Sequence, residues 1–225
     1  MSWQAMLQFG ALIVSLAIAA PLLGRYMALV YGSRDDRSAP GDRIFDPIER
    51  LIYRLIRVDP KREQRWNVYT ISLIAFSIFS FLTVYLLMRL QDWLPFNPTS
   101  RTNVSAMGSF NAAVSFVTNT NWQWFSGEQT VSHLTQMVGF TVQNFVSAAA
   151  GMAVAVGLIR GITRSGTRSL GNFWVDLTRT IVRILIPLSF VLAVLLMSQG
   201  AVQNLKGSGP RLATSTRPRE RRTTG

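Results

Sequence analysis

The chain has 225 residues, no cysteine and one histidine, His133, so disulfides, thiolate-bound metals and a multi-histidine metal centre within one chain are excluded. Charged residues make up 15% of the chain and the formal net charge is +12. A soluble domain usually carries about 25% charged residues. The arginines lie between long apolar runs rather than on one face of a domain, which excludes a basic nucleic-acid-binding protein and points to a membrane.

Four apolar stretches follow one another along the chain. A spanning helix needs about 20 apolar residues. The first, from about Trp3 to Tyr31, carries only Arg25, near its far end. No Lys or Arg precedes Arg25, so the stretch lacks the basic leader of a signal peptide and is expected to stay as a helix with its N-terminus outside. Residues 32–67 follow as a loop rich in Arg and Lys, expected in the cytoplasm.

The second stretch, Val68 to Met88, is uncharged. Between 92 and 130 the only basic residue is Arg101, which places this segment outside. Trp93-Leu94-Pro95-Phe96-Asn97-Pro98 reads as an interfacial belt and a turn. Ser109 to Val117 is apolar, rich in small residues and too short to span, so a re-entrant half-helix is expected there. The polar run Thr118-Asn119-Thr120-Asn121-Trp122-Gln123 comes next. Helix, half-helix, polar strand, helix is the layout of a potassium-channel pore repeat, in which strand carbonyls replace the water around the ion. From spacing alone the run reads more readily as an ordinary outside loop, and it has no glycine for unusual backbone angles.

The third stretch runs from Val131 to Ile159. Its Gln143 and Asn144 are polar groups inside a spanning helix, a pattern of bundle contacts or of a water path. Ala149, Ala153, Gly157 and Gly161 recur every fourth residue, which suits close helix packing within the bundle or between chains. Residues 160–180 form a second basic loop, with Asp176 expected to pair locally with Arg179 or Arg183. The last helix is expected over 181–204, with Arg183 at the membrane interface. Residues 205–225 read as a disordered, Arg-rich tail.

The run Asn111-Ala112-Ala113-Val114-Ser115-Phe116-Val117-Thr118-Asn119-Thr120-Asn121-Trp122-Gln123 closely resembles the first pore loop of the potassium-binding (A) subunit of the Kdp potassium-transporting P-type ATPase. Further pieces match in order: Ser126-Gly127-Glu128, Thr141 to Phe145, Leu170-Gly171-Asn172, Trp174 to Leu177, and Gln199 to Asn204. The resemblance covers about residues 3 to 204.

It implies an all-α integral membrane protein of fused helix–pore loop–helix repeats with an extra N-terminal helix. In this chain the helix is 1–31 and the first repeat 68–159, and the chain stops after the first helix of the second repeat. The implied function is capture of external potassium by a channel-like subunit in the bacterial plasma membrane. That subunit passes the ion to a P-type ATPase partner, which hydrolyses ATP, alongside small accessory subunits. No catalysis and no organic cofactor are expected of this chain. The resemblance makes Thr118, Asn119, Thr120 and Asn121 the filter, with potassium at Thr118, Asn119 and Thr120. It places Gln123 just beyond, facing the pore, and gives Gln143 and Asn144 a possible place along the tunnel. The tail after 204 shows no such likeness and reads as a wrong frame. A truncated or frameshifted, nonfunctional membrane fragment is therefore the alternative expectation.

Overall fold

A computed structural model describes residues 2–32, 39–164 and 168–201, with the Glu128 side chain left out. The expected tail 205–225 lies outside the described residues. Four helices are long and apolar enough to cross a membrane: Trp3–Gly32, Trp66–Leu90, Thr135–Thr163 and Phe173–Ser198. The first is α1, Trp3–Gly32. Most of α1 is exposed apolar surface, and only its end, at Val30 and Tyr31, is buried. There the Tyr31 hydroxyl lies 2.7 Å from Thr180 Oγ1, and Arg179 Nη1 donates to the Val30 carbonyl at 3.1 Å.

Residues 32–67 are not loop throughout. They hold α2, Asp42–Leu55, and the short strand β1, Gln64–Arg65. A search for long apolar runs misses α2, because its apolar residues form one stripe between charged ones. β1 pairs antiparallel with β2, Ser169–Gly171, and so ties this segment to the one after the third span.

The long helix α3, Trp66–Leu90, leads to the segment between the second and third spans. Three further helical pieces follow: α4, Ala106–Val117; the single turn α5, Gly127–Thr130; and α6, Val142–Thr163, which a π-helical stretch Thr135–Thr141 precedes without a break. One core gathers Val84 and Met88 of α3, Ala112, Ala113 and Phe116 of α4, and Phe140 before α6. The Phe116 and Phe140 rings stack at 4.2 Å.

Gln91, directly after α3, closes this unit. Its side chain is fully buried, and its amide donates to the Thr102 carbonyl at 2.5 Å and the Thr130 carbonyl at 2.9 Å. Its oxygen accepts the Ser132 N–H at 3.1 Å. One side chain thus pins both ends of the segment that carries α4. Gln91→Leu keeps the volume but strands those three backbone groups, and a stability loss of about 2–4 kcal/mol is expected. Thermal unfolding of the purified variant in detergent checks this.

The second core lies at the opposite end of α3, where Tyr69 packs on Ala149, Ala153 and Phe173. Of the small-residue stripe on α6, Ala149 and Ala153 are fully buried, and a Cβ added at Gly157 would come 3.4 Å from the Tyr69 ring and one at Gly161 3.3 Å from Leu170. The stripe is used for packing within this chain.

The last span starts earlier than expected, at Phe173. It comprises α7, Phe173–Arg179, a π-helical stretch Thr180–Leu185, and α8, Ile186–Ser198. The Asn172 side chain caps it by accepting the Trp174 N–H at 3.1 Å, a helix start more polar than a hydropathy window registers.

Asp176 does not pair with Arg179 or Arg183. It takes a two-point ion pair with Arg160 of α6, at 2.6 and 3.0 Å. A buried carboxylate gains more from a planar, two-pronged guanidinium than from a single contact along its own helix. Arg179 and Arg183 turn instead to α2. Arg183, with its side chain 1% exposed, meets Asp42 at 2.5 Å, Asp46 at 2.6 Å and Glu49; Arg179 Nε lies 3.6 Å from Glu49. The Tyr53 hydroxyl donates to Glu49 at 3.1 Å, and burial, then that carboxylate, hold its phenol well above the ordinary range.

Candidate functional site: the loop after the half-helix

The short helix α4 is capped by Ser105, whose hydroxyl accepts the Gly108 N–H at 3.2 Å. Such a cap contributes about 1 kcal/mol. Gly108 is needed for a close approach: a Cβ there would come 2.5 Å from the Trp124 ring, which folds back over the start of α4.

The far end of α4 shapes the candidate loop. The Asn119 N–H donates to the Phe116 carbonyl at 3.3 Å, and the Thr120 N–H to the Ser115 carbonyl at 3.0 Å. This is the usual left-handed ending of a helix, with Asn119 at φ +57°. The chain then departs from that pattern. Asn121 repeats the left-handed conformation, also at φ +57°, and its N–H reaches the same Ser115 carbonyl at 3.2 Å. Asparagine tolerates this region because its short polar side chain bonds locally. The two asparagines therefore do what glycine does in other loops, which answers the lack of glycine in the run.

The consequence for the carbonyls is geometric. In a trans peptide the N–H and the preceding C=O point in opposite directions. The N–H groups of Asn119, Thr120 and Asn121 all point at the end of α4. The carbonyls of Thr118, Asn119 and Thr120 therefore point away from it. Among the described residues, no hydrogen bond is donated to these carbonyls or to that of Asn121. All four residues are exposed. The negative end of the α4 dipole lies directly behind them, which favours a cation in front.

Side chains brace the loop from behind. The buried Ser115 hydroxyl donates to the Trp122 carbonyl at 2.7 Å. The Thr118 and Thr120 hydroxyls lie 2.9 Å apart. Ser147 on α6 donates to Asn119 Oδ1 at 3.3 Å, joining the loop to the third span. Gln143, one helical turn before Ser147, is buried, and among the described residues its amide nitrogen has no hydrogen-bond partner. Asn144 is exposed on another face. Gln123 is exposed, and among the described residues no hydrogen bond links its side chain to the loop. Ser115, Ser147 and Gln91 were not singled out by sequence. Only Ser147 had a readable signal, its spacing of four from Gln143.

Among the described residues no group of three acidic, His or Cys side chains is placed to hold a metal ion. The oxygens on offer here are backbone carbonyls, the ligands of a weakly hydrated monovalent cation rather than of a transition metal.

Residues 10–220 match the model of a family described as the potassium-transporting ATPase A subunit. The chain belongs to that family. A relative from Mycobacterium tuberculosis, named the potassium-binding subunit of a potassium-transporting ATPase, is 58% identical over 207 residues, 92% of this chain and 36% of the relative. Relatives of the same name from Herpetosiphon aurantiacus and Methylococcus capsulatus are each 54% identical, over 90% and 88% of this chain and 34% and 32% of their own lengths. The chain spans about a third of the length of the curated relatives it matches. The match runs past residue 204, to residue 220.

Proposed function

We propose that Thr118–Asn121 is one wall of a potassium-selectivity filter, and that the chain is potassium-binding material of an ATP-driven potassium importer. The observation that carries this is the run of carbonyls from Thr118, Asn119 and Thr120, turned away from the end of α4 and, among the described residues, accepting no hydrogen bond. The names of the family and of its members agree with that use. Carbonyls so placed replace the hydration shell of a dehydrated ion only when they surround it. Further pore loops supply the other walls. External potassium enters here and goes on to an ATPase partner that hydrolyses ATP, and this chain contributes no catalytic group. It crosses the bacterial plasma membrane several times with its N-terminus outside, which follows from the distribution of arginine between loops. Gln123 lies beyond the filter on the outer side. Gln143 and Asn144 remain candidates for the inner path.

The test reads the carbonyls directly. The chain, joined to the remaining pore loops of its family and reconstituted in bilayers, is labelled with carbonyl ¹³C at Thr118, Asn119 and Thr120. Potassium is expected to shift these resonances, and sodium at the same ionic strength to leave them in place. Equal responses to both ions, or none to potassium, would overturn the reading.

A further inference from the structure

The helix α2 divides lengthwise into three stripes. Asp42, Asp46, Glu49 and Tyr53 share one face, which is turned to Arg183 and Arg179. Two residues on, about 200° around the helix, Ile44, Ile48, Leu51 and Leu55 form a second stripe. These are 68%, 44%, 55% and 72% exposed, and nothing among the described residues covers them. Between the two stripes run Arg43, Arg50 and Arg54, all exposed. Among the described residues none of these three arginines, nor Arg57, has an ion-pair partner.

The basic stripe ends in a cleft. Arg50, Arg54 and Arg57 surround an open hollow of about 430 Å³ together with Val58, Asp59 and Pro60. Arg57 sits at φ +55°, the left-handed position after a helix where glycine is usual, and the Val58 N–H closes that turn on the Tyr53 carbonyl at 2.9 Å. This turn sets Arg57 beside the other two arginines.

The ion cluster also sets the depth of α2 in the membrane. Arg183 is the last charge before the uncharged run Ile184–Met197. α2 is therefore held at the level where that apolar run begins. An amphipathic helix with an apolar stripe flanked by arginines suits the plane between headgroups and acyl chains.

We propose that α2 is an interfacial anchor: its Ile44–Leu55 stripe enters the acyl boundary, and the cleft of Arg50, Arg54 and Arg57 binds the phosphate of an anionic phospholipid. The inference rests on the reading of this chain as membrane-spanning, but not on the filter. The match of charge is what names the occupant. Guanidiniums with no ion-pair partner among the described residues, at the edge of an apolar face, complement a phosphate joined to acyl chains, and anionic lipid at the inner surface supplies both. The arginine stems can lie along the apolar stripe while their heads reach outward.

The lack of cysteine makes the test direct, since single-cysteine variants can be spin-labelled in the full chain. Leu51→Cys and Leu55→Cys, in bilayers containing phosphatidylglycerol, are expected to collide with oxygen rather than with a water-soluble nickel chelate. Their depth should be shallower than that of Val191→Cys, in the exposed part of the fourth span. Preference for the nickel chelate, or shielding from both colliders by another polypeptide, would overturn the proposal.

A second measurement counts phospholipid retained by the purified chain. The variant Arg50→Gln/Arg54→Gln/Arg57→Gln is expected to hold phosphatidylglycerol less tightly by on the order of tenfold or more, with phosphatidylcholine unchanged. Equal retention in the variant would refute the cleft. Displacement of the lipid by excess inorganic phosphate would make it a free-anion site instead. The ¹³C response to potassium is a separate readout, so failure here leaves the filter reading to stand or fall alone.

Discussion

Replacing Arg183 by methionine should destabilise the chain by about 3 kcal/mol, toward the lower end of what breaking a buried ion pair costs. The side chain is 1% exposed and faces three carboxylates. Methionine keeps the stem and deletes every charge-assisted bond. Asp42 and Asp46 are partly exposed and regain water, so most of the cost falls on Glu49, at 5%. Arg179 remains 3.6 Å from Glu49 and limits the damage. Thermal or detergent-titration unfolding measures the loss. Adding Glu49→Gln to Arg183→Met should recover part of it, because the stranded charge is then gone. A loss under roughly 1 kcal/mol, the range of surface ion pairs, would mean that the cluster is not buried in the membrane-bound protein.

The largest functional effect is expected at the two left-handed asparagines. Valine is β-branched and strongly disfavours positive φ, at about 1–3 kcal/mol per position. Asn119→Val/Asn121→Val should therefore swing the carbonyls of the loop out of line and weaken the potassium response of the labelled carbonyls by about tenfold or more per site. Asn119→Gly/Asn121→Gly is the contrasting variant. Glycine adopts the same φ without strain, so the carbonyl row should persist and the response should survive. It loses the hydrogen bonds that the Asn119 side chain accepts from Ser147 and from Asn121. If glycine and valine fail alike, the asparagine side chains rather than the backbone carry ion binding.

How much was legible beforehand differs between elements. Each spanning helix is a local property, because a long uncharged run such as Val68–Met88 has one low-energy state in a bilayer, a helix that satisfies its own backbone. The half-helix and the polar run after it were legible in the same way, from length and composition. The family followed from the order of short motifs around Thr118–Gln123, which needs no coordinates. The helix α2 was not legible as a span. Its pattern of acids, arginines and aliphatics has helical period but no long apolar run, so hydropathy alone reads it as loop.

The residues alone determined that this chain carries four apolar spans, a short helix between the second and third, and a polar loop of Thr and Asn after it. Tertiary structure decided the partners. Asp176 chose Arg160 over its helical neighbours, Arg183 went to α2, and Gln91 came to hold Thr102, Thr130 and Ser132 together. Each pairing joins residues far apart in the chain, and the choice among several arginines or carboxylates depends on which helices pack, not on spacing. The direction of the loop carbonyls belongs to the same class. It is set by where three N–H groups find acceptors at the end of α4, and a trans peptide then turns each carbonyl the other way.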